Sequence, residues 1–367
     1  MNLRQKLDNW IFGSFQVSSG GLGLYRIFVS LTILFFLVPS PGIYGYLAGL
    51  PADFYSPAPG PMMLFDRFPP ESILMFLHYL LLISLTSMLI GFQTRWSSLI
   101  SGLLMFTLKG FIFSIGKINH DLLLSVVPIL FAFSHWGGSF SVDSLRKRRT
   151  PLTSGTDYGW PLVLLGLFIG FMMFTAGFPK ILGGWLDPGS QAAQGHFLNQ
   201  VYQKGRTDLL AVTALHWNHG LFWEALDYAT ILFETGFLVA IFRPRTTRLF
   251  ISIAVLFHFS TMMIMNISFL FNFIAYAAFL DWPRVDRVLS RLWSRITGFT
   301  ARDERRGLLF ATLLALLYSG ILWLDSSGVM PLESDLRMVE VIFITLALLP
   351  ALYGIARFFK LSMNFGQ

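Results

Sequence analysis

The 367 residues contain no cysteine. That excludes a disulfide, a thiolate metal centre and a cysteine nucleophile, and it leaves the redox compartment unmarked. Charge is scarce too: Asp, Glu, Lys and Arg make up 13% of the chain, about half of what a soluble domain carries. No phosphate-binding glycine loop, HExxH or GxSxG is present, so nucleotide hydrolysis, zinc-peptidase and serine-hydrolase chemistry have no motif here. There is no fixed-period repeat, low-complexity tract or soluble module. The first residues, MNLRQKLDNWIFGSFQVSSGG, have no long apolar core and no small-residue cleavage site, so no removable signal peptide is expected.

What fills the chain instead is apolar. Hydrophobic residues make up 54%, with 38 phenylalanines, and mean hydropathy is +0.62. This is the composition of an all-α polytopic membrane protein. Apolar runs long enough to cross a bilayer predict about ten spans: Gly21–Val38, Ser72–Ile90, Ser97–Gly116, His120–His135, Trp160–Phe178, Leu221–Ile241, Arg248–Ile264, Ile267–Leu280, Gly307–Leu324 and Val339–Ile355. The fourth and eighth are short enough to be partly re-entrant.

The net charge of +7 has a topological meaning in such a chain and does not point to nucleic acid. With the N-terminus cytoplasmic, 19 basic residues fall on inner loops and six on outer ones. One missed span would scramble that split, so both ends are expected inside. The expected organisation is a cytoplasmic segment over 1–20, a membrane domain over 21–290, and a basic cytoplasmic segment with two peripheral helices over 291–367. The first eight spans are expected to form one bundle around an outward-facing cavity. Residues 281–306 are expected as an amphipathic helix on the anionic leaflet. Two outer loops are long, Pro39–Glu71 and Gly183–Gly220.

Ionisable groups in or near spans are costly there and so invite a functional reading. Lys180 stands where its apolar run gives out, just before Gly183, Gly184, Pro188 and Gly189. A lysine at a helix end can simply snorkel to the headgroups. Stripped of water, it gives up its proton more readily and can act as a base. Asn119 and His120 open the fourth span, and His258 lies inside the seventh. Arg26 and Lys109 are expected in structural ion pairs with Asp227 or Glu234, which are seven apart on one helix face. His78 reads as structural and the methionines as packing. His196, His216 and His219 match no metal motif and read as a solvated loop; no metal site is expected. The topology puts His120, Lys180 and His258 within reach of one cavity near the outer leaflet.

Four segments resemble the vitamin K-dependent gamma-carboxylase family, within the horizontally transferred transmembrane (HTTM) superfamily. They are GLYRIF, GKINHDLLLSVVPILFAFSHWGGSFSVDSL, FTAGFPKILGGW and AVLFHFSTMMIMNISFLFNFIAYAAFLDWPR, in that order over roughly residues 20–290. The resemblance implies a membrane enzyme that couples epoxidation of a reduced naphthoquinone, vitamin K or menaquinol in type, to glutamate carboxylation in a peptide or protein. It implies Lys180 as the base on the quinol and His120 as its catalytic partner. Asn119, His258 and Trp185 then bind the quinol, with O2 and CO2 as co-substrates. Membrane lipid, an isoprenoid quinone and a secreted peptide or protein are the implied partners, with no nucleic acid. The vertebrate enzymes carry a large lumenal β-rich domain and a disulfide; here two further spans follow, without cysteine. Two alternatives remain: a maturation factor for a secreted peptide or toxin without carboxylation, and a non-enzymatic quinone or lipid binder or transporter. The expected location is a bacterial plasma membrane, with the active cavity facing out.

Overall fold

The computed structural model describes residues 2–116, 122–147, 159–285, 287–288, 291 and 336–363. Among them the protein is all-helical, and the only strand-like pairing is a single bridge between Ser56 and Ile115. Five helical stretches have the length and composition to cross a membrane: Ser19–Leu37, Glu71–Ile90, Thr94–Phe113, Trp160–Leu182 and Pro244–Met265. They match the first, second, third, fifth and seventh expected spans. The ninth lies outside the described residues, as does most of 281–306. The chain divides into two compact units, Gln16–Pro161 with Leu280–Leu336, and Met1–Phe15 with Leu162–Phe279 and Arg337–Gln367.

The first helix of the chain, α1 (Leu3–Gly13), belongs to the second of these units. The unit centred on residues 16–161 is built from α2 (Ser19–Thr32), α3 (Gly42–Ala48), α4 (Glu71–Ile90), α5 (Thr94–Phe113), α6 (Leu122–Ala132) and α7 (Val142–Lys147). Helices α4, α5 and α6 pack in sequence. A side chain at Gly102 would meet Ser125 O at 2.7 Å and Ile129 Cγ1 at 2.6 Å, so the approach of α5 to α6 needs glycine. That is how helices associate where lipid is as apolar as their side chains. Serine and threonine hydroxyls bond carbonyls one turn back, as Ser30 Oγ does to Arg26 O (2.8 Å) and Ser98 Oγ to Thr94 O (2.6 Å), which satisfies those hydroxyl donors in an apolar medium. Gly91 ends α4 in the left-handed region (φ 69°), with Phe92 N bonded to Ser87 O across the turn. A side chain there would also run into Ser141, so the position needs glycine.

The other unit holds α1, α8 (Trp160–Leu182), α9 (Ala192–Tyr202), α10 (Ala211–Ala214), α11 (Gly220–Ala240), α12 (Pro244–Met265), α13 (Leu270–Ala277) and α14 (Leu336–Met363). Gly166, Ile169, Gly170, Met173 and Gly177 line the buried stripe of α8 at helical spacing, and Gly170 and Gly177 let α11 come close. Phe233 and Phe237 of α11 pack their rings with Phe250 of α12. The segment expected as a solvated loop, Gly183–Gly220, instead folds into α9 and α10. Their buried face (Ala193, Phe197, Val201, Ala211, Ala214) packs with Trp223 of α11.

Candidate functional site

Lys180 sits in the last turn of α8. The helix runs past Pro179 to Leu182, four residues beyond the expected end of the span. Gly177 lies one turn before Lys180 on the same face. A Cβ there would meet Glu234 Cβ at 2.8 Å. The bare glycine therefore brings α11 near enough for Lys180 Nζ to reach the Glu234 carboxylate, 2.5 Å from Oε1 and also bonded to Oε2. The Lys180 side chain is 24% exposed and that of Glu234 6%. The Trp185 ring lies 5.2 Å from Nζ, a cation–π distance. The chain turns back to place Trp185 there, with Trp185 N bonded to Lys180 O (3.1 Å).

Other polar groups belong to the same unit. Asp227, fully buried, accepts from Ala192 N (2.9 Å) and Ala193 N (2.7 Å). Gln191, at the N-cap of α9, has φ 45° and makes no cap bond. Asp227 thus caps α9 from another helix and places a negative charge at its N-terminus. His196 on α9 bonds Gln200, whose Oε1 is buried without a partner among the described residues. Partial burial holds the His196 imidazole below its usual value, and the charges of Lys204 and Lys180 push the same way.

His258 lies in a second polar cluster. Its Nε2 is 2.9 Å from Tyr276 Oη and 3.3 Å from Asn272 Nδ2. Phe269 and Tyr276 stack on its ring. Asn272 is 4% exposed, and among the described residues its Oδ1 has no hydrogen-bond partner. Among the described residues, Glu234 and Trp185 flank Lys180, whereas Tyr276 and Asn272 bond His258. Asn119 and His120 lie outside the described residues.

Arg26 and Lys109 lie in the unit centred on residues 16–161, and Asp227 and Glu234 in the other. Glu234 is engaged by Lys180, and Asp227 by backbone amides. Arg26, fully buried, donates from Nη1 to Trp136 O (2.7 Å) and from Nη2 to Phe140 O. The turn after α6 leaves those carbonyls outside any helix, and a guanidinium can be satisfied by carbonyls as well as by a carboxylate. Asp143, whose charge acts on Arg26, caps α5 through Gln93 N (3.0 Å) and Thr94 N (2.7 Å). Lys109 Nζ sits 6.0 Å over the Phe113 ring. His78 Nδ1 is 3.1 Å from Tyr44 Oη.

Residue types alone missed Glu234 as the partner of Lys180, and Tyr276 and Asn272 beside His258. The Gly177–Lys180 spacing was a signal for the first, since a glycine one turn from a lysine marks where a neighbouring helix comes close. Among the described residues no cluster of His, Asp and Glu could hold a metal ion.

These features define a helical integral membrane protein with buried polar clusters inside its apolar helices. The HTTM domain family model matches residues 17–282, and the chain belongs to that family. It is therefore a membrane protein of the gamma-carboxylase-related family. No curated protein and no solved structure matches it.

Proposed function

We propose that this protein is a quinol-dependent membrane oxidoreductase of the gamma-carboxylase type, with Lys180 as the group that takes the proton from a reduced naphthoquinone. The observation that carries this is the setting of Lys180. An anchoring lysine sends its ammonium to the headgroups; this one is held against a buried carboxylate under an indole ring. The His258 cluster supports a second contact, because Asn272 Oδ1, which has no partner among the described residues, is an acceptor suited to a quinol hydroxyl. Asn119 and His120 are assigned to the quinol oxygens by their match to the family motif. O2 then converts the deprotonated quinol to an epoxide, and the strong base so formed removes a glutamate γ-proton that CO2 replaces. Shielding from water is what such a base requires. The proposed topology has ten crossings with both ends cytoplasmic and the Lys180 end of α8 outside, supported by the distribution of basic residues.

The test is quinol oxidation and epoxide formation by purified protein in lipid. Lys180→Ala and Lys180→Arg should each lower turnover on the order of 10²–10⁴-fold. Arginine can keep the pair with Glu234 but cannot serve as a base. Wild-type turnover in Lys180→Arg overturns the assignment. Single cysteines are a clean topology probe in this cysteine-free chain. One at position 190 should label from the outside, and labelling only from the inside overturns the topology.

A further inference from the structure

We propose that Glu234 is the terminal acceptor of the proton that Lys180 takes, so that the two act as one proton-sharing dyad. The inference rests on the proposed function and goes beyond it in naming where the proton goes.

The geometry carries the argument. Lys180 Nζ contacts both carboxylate oxygens of Glu234, so any proton arriving at the amine has an acceptor already in hydrogen-bond contact. The carboxylate is the more enclosed partner, 6% exposed against 24% for Lys180. The lysine therefore has the wetter, reachable end and the glutamate the sheltered one. Gly177 holds the two helices at this separation, with Glu234 Cβ 2.8 Å from where a Cβ would stand. Trp185 closes over Nζ, stabilising positive charge there through the step.

An ion pair poses a problem for a lysine base, because an ammonium has no lone pair to offer. The dyad removes it. As the quinol O–H bond breaks, its proton forms a new N–H bond at Nζ. One of the protons already on Nζ passes to Glu234, forming a carboxylic O–H. The starting state holds a neutral quinol, an ammonium and a carboxylate. The final state holds a quinolate, an ammonium and a neutral acid. Atoms and charge balance with no other reactant. The ammonium stays beside the new oxyanion and stabilises it.

The experiment uses the full chain in lipid nanodiscs with reduced 2-methyl-1,4-naphthoquinone as the probe. Infrared difference spectra are recorded without oxygen as the probe is added, and quinol oxidation is then measured in air. In the wild type the probe should raise a protonated-carboxyl band. Glu234→Gln should lose that band and lower turnover on the order of 10²-fold. Glu234→Asp should restore the band at a shifted frequency with part of the turnover. It also guards against a Glu234→Gln protein that fails to fold. Turnover in the wild type without the band, or a band that persists in Glu234→Gln, overturns the dyad. A Glu234→Gln protein that is folded and fully active overturns it as well. A Glu234-dependent band with no oxidation in air leaves the dyad standing and overturns the proposed function instead.

Discussion

Each unit of this protein holds a cation inside its helices, and the two are held in opposite ways. Arg26 is fully buried and bonded to backbone carbonyls of Trp136 and Phe140. Lys180 is partly exposed and bonded to the carboxylate of Glu234. A carbonyl accepts a hydrogen bond but is not a proton acceptor at any working pH, and a guanidinium does not release its proton in proteins. Arg26 can therefore fix a turn and do nothing else. An amine facing a carboxylate has both a removable proton and somewhere to send it. What separates a structural cation from a chemical one is the acceptor it faces, more than its depth.

The largest effect on stability should come from breaking the carbonyl-held site. Arg26→Ala strands two buried carbonyls and opens a cavity, and should cost about 3–5 kcal/mol, read as lost expression and a lower midpoint in thermal unfolding. Lys180→Arg should leave that midpoint near the wild type, since the pair with Glu234 can re-form. If Arg26→Ala is silent and Lys180→Arg unfolds the protein, the contrast is reversed.

Next come the glycines that set helix separation. Gly177→Ala and Gly102→Ala should each cost about 1–3 kcal/mol through overpacking. Only Gly177→Ala should also lower quinol turnover, because it alone spreads Lys180 and Glu234 apart. Equal losses of turnover from both would erase the distinction between the units. Asp227→Asn, which weakens the cap on α9, should cost about 1 kcal/mol, seen as faster amide exchange in α9 with α8 unchanged.

The smallest effect is a pH dependence. The folded state holds the His196 imidazole below its ordinary value, so between the two values the unfolded chain binds more protons. The contribution is complete above the ordinary histidine value near 6.5. It is lost as pH falls from there toward the folded value. Thermal midpoints of His196→Gln should therefore decline less on mild acidification than those of the wild type.

Much of this was legible in the sequence. The apolar runs located α2, α4, α5, α8 and α12 to within a few residues, because a membrane span is set by length and hydropathy. The α9–α10 segment was not, because its helices are short and the capping group comes from Asp227, more than thirty residues away. Lys180 and His258 stood out as ionisable residues in apolar surroundings. Their partners did not, because the sequence shows which charges need compensation but not which carbonyls, amides or carboxylates supply it. Arg26 was legible as a cation within a span, but the carbonyls of Trp136 and Phe140 that hold it were not. The apolar run placed the end of the fifth span at Phe178, whereas α8 continues through Pro179 to Leu182.

The Arg26 site also sets a schedule for biosynthesis. Its first acceptor, Trp136 O, lies 110 residues downstream. At roughly 5–20 residues per second, the ribosome delivers that carbonyl on the order of ten seconds after the guanidinium emerges. During that interval α2 carries an uncompensated charge and is a poor candidate for release into lipid. It must wait at the insertion machinery, or in a watery vestibule, until the turn after α6 arrives. The first hydrophobic helix to be made is thus among the later ones to settle.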